Sequence, residues 1–411
     1  MGEALAEAMT NAEAAQRLVN AVLSDRPVES HTHPFYLYPA RLSPSVVESA
    51  IELFTSPGDL VMDPFVGGGT TLVEAAALAR PSLGSDINEL AVFVSKAKTH
   101  LYTRSELAAV ETWCEKLPPR TNLRLGRART NTKGDNDPFL NAGTRETWRV
   151  TKLLELAAES IAELDSVPAQ RLARCVLLRT GRWALDCRLN VPAVGDVRRR
   201  VREFTLEMTA RARDYAALVR GNARATGQKP SKIIPKCIVA DVSAVRESRV
   251  VRRVPAPRLV LCSPPYPGTH VLYHRWQVRG RRETPALYWI AGCKDSHGPA
   301  YYGMGGRTKK GIDDYFGRVR GAFESLANVL DCESVVVQVI SFSKPEEHLR
   351  RYLEAMLDAG FEEELLPSPS ISTPDRRLWR DVPNRRWYTY RPGVVQSKRE
   401  VVLFHKLASS A

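Results

Sequence analysis

The chain has 411 residues, 44% of them hydrophobic and 26% charged, with a formal net charge of +13. It holds enough apolar material for one large core or two modest ones, with no apolar run near the ~20 residues that span a bilayer and no basic-then-apolar secretory start, which points away from a membrane protein and to a cytoplasmic one. The seven cysteines, at 114, 175, 187, 237, 262, 293 and 332, are dispersed without a Cys-x-x-Cys pair, which argues against a disulfide framework and a zinc site, and the excess positive charge points to nucleic acid as partner.

Residues 1–24 carry a loose apolar stripe of Leu5, Ala8, Met9, Ala12, Ala15, Val19 and Val22, the pattern of an amphipathic helix packed on the main domain. Ser43 and Pro44 open a second helix, with Val47, Ala50, Ile51 and Phe54 at helical spacing, and Ser56-Pro57-Gly58 ends it. A short strand, Leu60 to Met62, then runs into Asp63-Pro64-Phe65-Val66-Gly67-Gly68-Gly69-Thr70-Thr71 and the helical pattern Leu72, Ala75, Ala76, Ala79. Glycines in such a loop let backbone approach a ligand, and the helix start behind them offers free N–H groups. Ser82 to Asp86, followed by Ile87 and Asn88, reads as another strand ending in an acid. An acid about 20 residues past a glycine loop suits ribose hydroxyls in a doubly wound sheet, although a helix N-cap before Glu89 would also explain Asp86.

Residues 121–143 turn polar, as a surface loop that orders on DNA would. A helical stretch follows: Val150, Leu153, Leu154, Ala157, Ile161 and Leu164 share one face, and Val201, Phe204, Met208, Ala212, Tyr215 and Val219 share another. The segment 181–196 between them reads as a connecting loop, and Arg198, Arg199, Arg200 and Arg202 as a solvated helix face. The β-branched run 334–341 reads as a central strand and 400–405 as the last one. Two further basic clusters, 275–282 and 376–386, are interleaved with Trp276, Tyr288, Trp289, Trp379, Trp387 and Tyr388, flat groups able to stack on bases.

The most specific signal is Leu261-Cys262-Ser263-Pro264-Pro265-Tyr266. The two prolines bring no N–H, so the turn offers carbonyl oxygens, with a hydroxyl at Ser263 and a stacking surface at Tyr266. That is a receptor for an aromatic amino group; a Pro-Pro turn closing a buried strand is the plain alternative.

Together these residues resemble the amino-methyltransferases of DNA, which use S-adenosylmethionine and modify cytosine N4 or adenine N6. Asp63 to Thr70 looks like the family's cofactor loop and Ser263 to Tyr266 like its catalytic turn. His33-Pro34-Phe35-Tyr36-Leu37-Tyr38-Pro39-Ala40-Arg41 is similar to the segment that closes over the methionine end of the cofactor. The family's turn begins with Asp or Asn in most adenine enzymes and with Ser in most cytosine-N4 enzymes, so Ser263 favours cytosine. The resemblance covers residues 31–100 and 236–290, and Lys236 to Asp241 looks like the family's third strand, whose acid borders the adenine ring.

The resemblance implies a Rossmann-like α/β sheet with helices on both faces; the chain divides into 1–104, a mainly helical insertion at 105–232 that the resemblance does not cover and for which DNA recognition is one candidate role, and 233–411. It implies catalysis by Ser263, Pro264, Pro265 and Tyr266. The cofactor falls to His33, Tyr36, Tyr38, Asp63, Pro64, Phe65, Gly67, Gly69, Thr70, Thr71, Asp86, Ile87, Asn88 and Asp241, and no metal is called for. Charge and stacking add Arg275, Trp276, Arg279, Arg281, Arg282, Arg376, Arg377, Arg385 and Arg386 as DNA contacts. The expected partner is double-stranded DNA with one base swung out of the helix, and a restriction nuclease or defence proteins would be compatible companions. Methylation of adenine N6 or of an RNA amine is the nearest rival; a non-catalytic DNA-binding subunit on the same scaffold is a rival of another class.

Overall fold

The computed structural model describes residues 12–24, 30–38, 42–121, 123, 137–271, 274–280, 282–296, 298, 301–366, 368, 370–371, 373–382 and 398–408. In chain order its strands are β1 (Val61–Asp63), β2 (Ser82–Asp86), β3 (Lys236–Val239), β4 (Leu259–Cys262), β5 (His270–Val271) and β6 (Trp276–Val278). Then come β7 (Arg282–Thr284), β8 (Tyr301–Tyr302), β9 (Val335–Ile340), β10 (Phe361–Glu364), β11 (Leu378–Val382) and β12 (Lys398–Leu407). The main sheet runs β10-β12-β9-β4-β1-β2-β3, with β11 also paired to β12. From β3 through β9 all neighbours are parallel, while β12 is antiparallel to both β9 and β10. The chain moves outward from β1 to β2 and β3, then returns to place β4 on the other side of β1. Ligands bind at such a reversal, beyond the carboxyl ends of the strands.

Covered sheets bury both faces of a strand, so β9, Val-Val-Val-Gln-Val-Ile, reads as a nearly unbroken apolar run with every residue buried. Its alternation shows only in which layer each residue feeds. Val335, Val337 and Val339 join Leu259 and Leu261 of β4 against the helices Ala12–Leu23 and Pro44–Phe54. Val336 and Ile340 join Val260 and Cys262 against Tyr315, Val319 and Phe323 of the helix Lys309–Ala327 and Met356 of the helix Pro345–Asp358. The N-terminal stripe therefore packs on the main sheet's helical layer as its sequence implied, with Ala15, Leu18, Val19 and Val22 buried; Leu5, Ala8 and Met9 lie outside the described residues.

The inserted helices Arg104–Glu115, Trp148–Ser160, Val167–Leu185 and Val194–Ala225 share one core with Leu90 and Val94 of the helix Glu89–Thr99 and with Trp276, Leu287 and Ile290. The far half of Val194–Ala225 lays Tyr215, Ala216 and Val219 on Val73 and Ala76 of the helix Thr70–Ala77. The connecting loop expected at 181–196 is shorter than the sequence suggested, because helix continues to Leu185 through Gly181 and Trp183. Within that helix Gly181 is a close approach: a Cβ there would stand 2.3 Å from Cη2 of Trp276.

On β12, His405 is 1% exposed, and among the described residues neither of its ring nitrogens has a hydrogen-bond partner. Burial, helped by the charge of Arg377, pushes it down to about 3. A histidine depressed in the folded state adds stability that is full above its unfolded value near 6.5 and drains away as the pH falls toward 3. His405→Phe is therefore expected to abolish a loss of roughly 2 kcal/mol between pH 7.5 and pH 5, at about 1.4 kcal/mol for each pH step below the unfolded value. Urea unfolding at the two pH values measures it, and parallel pH dependence in both proteins would remove His405 as the cause.

Candidate active-site cleft

At the carboxyl ends of β1, β2, β3, β4 and β9 lies a cleft of about 1770 Å³. One end is made by the β2 and β3 exits, where Asp86, Ile87, Asn88 and Asp241 line it; its middle by Pro64, Phe65, Gly67 and Tyr38; its far wall by Ser263, Pro264, Pro265 and Tyr266. Two motifs about 200 residues apart in sequence thus face one cavity because β1 and β4 are adjacent. The volume exceeds the roughly 300–1,000 Å³ of ordinary ligand pockets, which leaves room for two reactants.

The glycine loop is held from behind. Asp63 is buried; its Oδ2 accepts from Thr71 Oγ1 at 2.6 Å and its Oδ1 from the Phe65 N–H at 3.0 Å. Burial pushes it up to about 7, opposed by those two hydrogen bonds. Gly67 sits at φ +46 and gives its N–H to Asp86 Oδ2 at 2.9 Å, while the Asn88 N–H goes to Asp86 Oδ1 at 2.9 Å. Gly69, at φ +75, precedes the helix Thr70–Ala77, and a Cβ there would lie 2.6 Å from Ser95 Oγ. The N-cap of the helix Glu89–Thr99 is Asn88, whose side chain accepts from the Leu90 N–H, so Asp86 is not that cap and its carboxylate faces the cleft. Asn88 Nδ2 also donates to the hydroxyls of Tyr38 and Tyr288, at 3.3 and 3.2 Å. Asp241 accepts from the N–H and hydroxyl of Ser243 at 2.9 and 2.8 Å.

Several residues assigned to the cofactor from sequence lie behind this wall. His33 is 2% exposed, its Nε2 2.6 Å from Oε1 of Glu74, a carboxyl that burial, with Glu48 nearby, pushes up to about 8. The pair ties residues 33–38 to the helix after the glycine loop. Tyr36 is buried with the Arg182 guanidinium over its ring at 5.5 Å, and its hydroxyl accepts from Trp276 Nε1 at 3.3 Å. Gly69, Thr70 and Thr71 are buried as well, whereas Tyr38 reaches the cleft. Pro39, Ala40 and Arg41 lie outside the described residues.

The expected DNA contacts divide in the same way. Trp276 is 1% exposed and belongs to the helical core, which corrects its reading as a stacking group: the missing side chain at Gly181 makes its slot. Arg275 bonds Asp295 at 2.7 Å, and Arg377 forms a two-pronged pair with Glu363 at 2.7 and 2.6 Å, so their charges are met inside the protein. Arg279 pairs with Glu146 at the surface, and Arg282 and Arg376 are exposed. Arg281, Arg385, Arg386, Trp387 and Tyr388 lie outside the described residues. The cations that do line the cleft, Arg307, Lys309, Arg318, Lys344, Arg351 and Arg399, went unnoticed because they are scattered over three stretches of chain and form no run.

The Ser263–Tyr266 turn carries a further partner that sequence reading missed. Ser263 Oγ donates to Tyr266 Oη at 3.4 Å, and Tyr266 Oη donates to Glu400 Oε1 at 2.7 Å. The other oxygen of Glu400, Oε2, accepts from Arg380 Nε and Nη2 at 2.9 and 2.6 Å. The only trace in the sequence is an acid just ahead of the apolar run 401–404.

Comparison with known proteins bears on this geometry. The family described as DNA methylase matches residues 10–96, the stretch that runs from the N-terminal helix through the glycine loop and β2. Over that stretch the chain is similar to the DNA amino-methyltransferases. Its similarity to the type II methyltransferase M.MjaII of Methanocaldococcus jannaschii is 29% identity over 89 residues, 22% of this chain and 17% of that protein. With the type II methyltransferase M.MvaI of Kocuria varians it is 39% over 80 residues, 19% of this chain and 18% of that protein. The matched stretch thus spans less than a fifth of either relative. Two solved structures, TrmN from Thermus thermophilus and the rRNA methyltransferase aviRa from Streptomyces viridochromogenes, align over 94% and 93% of this chain and 55% and 89% of their own chains. Each does so at 13% identity and a TM-score of 0.33, too loose a superposition to argue from.

Proposed function

We propose that this protein transfers a methyl group from S-adenosylmethionine to the exocyclic N4 amine of a cytosine swung out of duplex DNA. The observation that carries the reading is the meeting of the Ser263–Tyr266 turn with Gly67 and Asp86 in one cleft at the sheet's reversal point. Charge divides the cleft to suit two unlike reactants: carboxylates at the β2 and β3 exits favour a cationic cofactor, and Arg307, Lys309, Lys344 and Arg399 favour a phosphate backbone.

The cofactor, when bound, supplies an electrophilic carbon on a sulfonium sulfur. The residues fit it: Asp86 is oriented by two backbone N–H groups to take ribose hydroxyls, and Ile87, 39% exposed, is an apolar surface beside Asp241 suited to an adenine ring. Gly67 brings bare backbone alongside, with a Cβ there reaching the Tyr38 ring at 3.6 Å. On the other side, the lone pair of a cytosine amine is delocalised into its ring. Ser263 Oγ and the Pro264 carbonyl accept the two amino hydrogens, pull the nitrogen toward pyramidal geometry, and turn the localised pair on the methyl carbon. The ring of Tyr266 is the stacking surface for the extruded base.

Incubating the purified chain with methyl-labelled S-adenosylmethionine and duplex DNA, then digesting to nucleosides, tests this directly. N4-methylcytosine is expected. Label in N6-methyladenine would transfer the reading to the nearest rival, and no label in DNA or RNA would end it.

A further inference from the structure

We propose that Glu400 is the terminal proton acceptor of the reaction, reached from Ser263 through the hydroxyl of Tyr266. The inference rests on the methyl-transfer reading above and supplies what that reading lacks, a destination for the proton the amine must lose. Glu400 stands directly across from Arg380 in the β11–β12 pairing, and its side chain is 2% exposed. Ion pairing alone would explain one carboxylate oxygen, since an apolar cross-strand pair would hold the strands as well without the desolvation of a buried charge. It does not explain the other oxygen, which receives the Tyr266 hydroxyl at 2.7 Å and so joins the last strand of the sheet to the catalytic turn. The step from Ser263 to Tyr266 is longer, 3.4 Å, and bonds of this kind tighten once reactants are in place.

The bookkeeping of atoms closes. Forming the N–C bond leaves the amine nitrogen with a positive charge and an acidic N–H. That bond breaks with its electron pair staying on nitrogen, and the proton goes to Ser263 Oγ. Ser263 passes its own hydroxyl proton to Tyr266 Oη, and Tyr266 passes its own to Glu400 Oε1. Both hydroxyls end as they began, Glu400 ends as the neutral acid, and solvent removes its proton afterwards. Arg380 keeps its charge throughout. Among the described residues, Tyr315 belongs to the core cluster against which Tyr266 packs, and Arg399, the residue before Glu400, lines the cleft.

The test is single-turnover transfer by the full chain, from labelled S-adenosylmethionine to duplex DNA, between pH 6 and 9. Glu400→Gln, which keeps an oxygen for Tyr266 but cannot take a proton, is expected to lower the rate constant by about 100-fold at pH 7, with the loss shrinking as hydroxide takes over at higher pH. Tyr266→Phe keeps the stacking ring and the Glu400–Arg380 pair and is expected to give the same profile, with affinities for cofactor and DNA unchanged. Glu400→Asp should recover part of the rate. Glu400→Gln or Tyr266→Phe turning over at the wild-type rate overturns the relay alone, as does a pH-independent loss accompanied by weakened DNA binding, the mark of a purely structural pair. Failure of the wild-type protein to label any nucleic acid overturns the methyl-transfer reading, and the relay with it.

Discussion

Replacing Ser263 with alanine is expected to lower the single-turnover rate of methyl transfer by a factor of about 10² to 10³ at pH 7.5, the usual cost of removing one fixed partner from a developing charge. On the proposed mechanism the hydroxyl manages the amine's hydrogen and lone pair, and its loss leaves only the Pro264 carbonyl to hold the nitrogen. Nothing that grips the cofactor changes, because Ser263 faces Asp86 across the cleft and bonds only Tyr266 among the described residues. Calorimetric affinity for S-adenosylmethionine should therefore match the wild-type protein. A variant that turns over normally would show that the turn merely ends β4. Since the Pro-Pro pair sets the backbone independently of the side chain at 263, a folding defect is not the expected cause of a lost rate.

The second large effect is on binding. Asp86→Ala is expected to weaken S-adenosylmethionine affinity by roughly 10- to 100-fold, in line with about 1.5–3 kcal/mol for hydrogen bonds to a charged group. The residue acts twice. Its carboxylate faces the cleft, and the same carboxylate pins the Gly67 N–H and the Asn88 N–H, so removal also loosens the loop that approaches the ligand. Calorimetry on the variant reads both together. Asp86→Asn separates them, since an amide keeps one acceptor oxygen and loses the charge: an intermediate affinity supports the double role, and unchanged affinity in both variants would leave Asp86 as a loop fastener only.

What sequence could and could not reveal follows from how each residue acts. The strand, glycine loop and helix at 61–77 were legible because positive-φ backbone and close helix approach demand glycine locally, at Gly67 and Gly69. The Ser263–Tyr266 turn was legible as a turn because two prolines in a row leave few backbone options. Chain order alone, however, does not say that β1 and β4 are neighbours; that needed a pattern already familiar from a family. Trp276 was misread because a tryptophan among arginines has the same composition whether it stacks on a base or fills the slot at Gly181. His33 and Tyr36 went the same way, buried polar groups whose partners, Glu74 and Trp276, lie 41 and 240 residues further along. Glu400 was invisible for the converse reason, since its meaning depends wholly on a hydroxyl 134 residues earlier.

Strand β12 lies in the sheet between β9 and β10, antiparallel to both, and is the last in chain order among the described strands. A nascent polypeptide emerging from the ribosome therefore displays its glycine loop and its proline turn long before it owns the carboxylate that accepts from Tyr266. If the proposed relay holds, synthesis itself becomes a timer, because a product stopped before residue 400 lacks the acid that meets Tyr266.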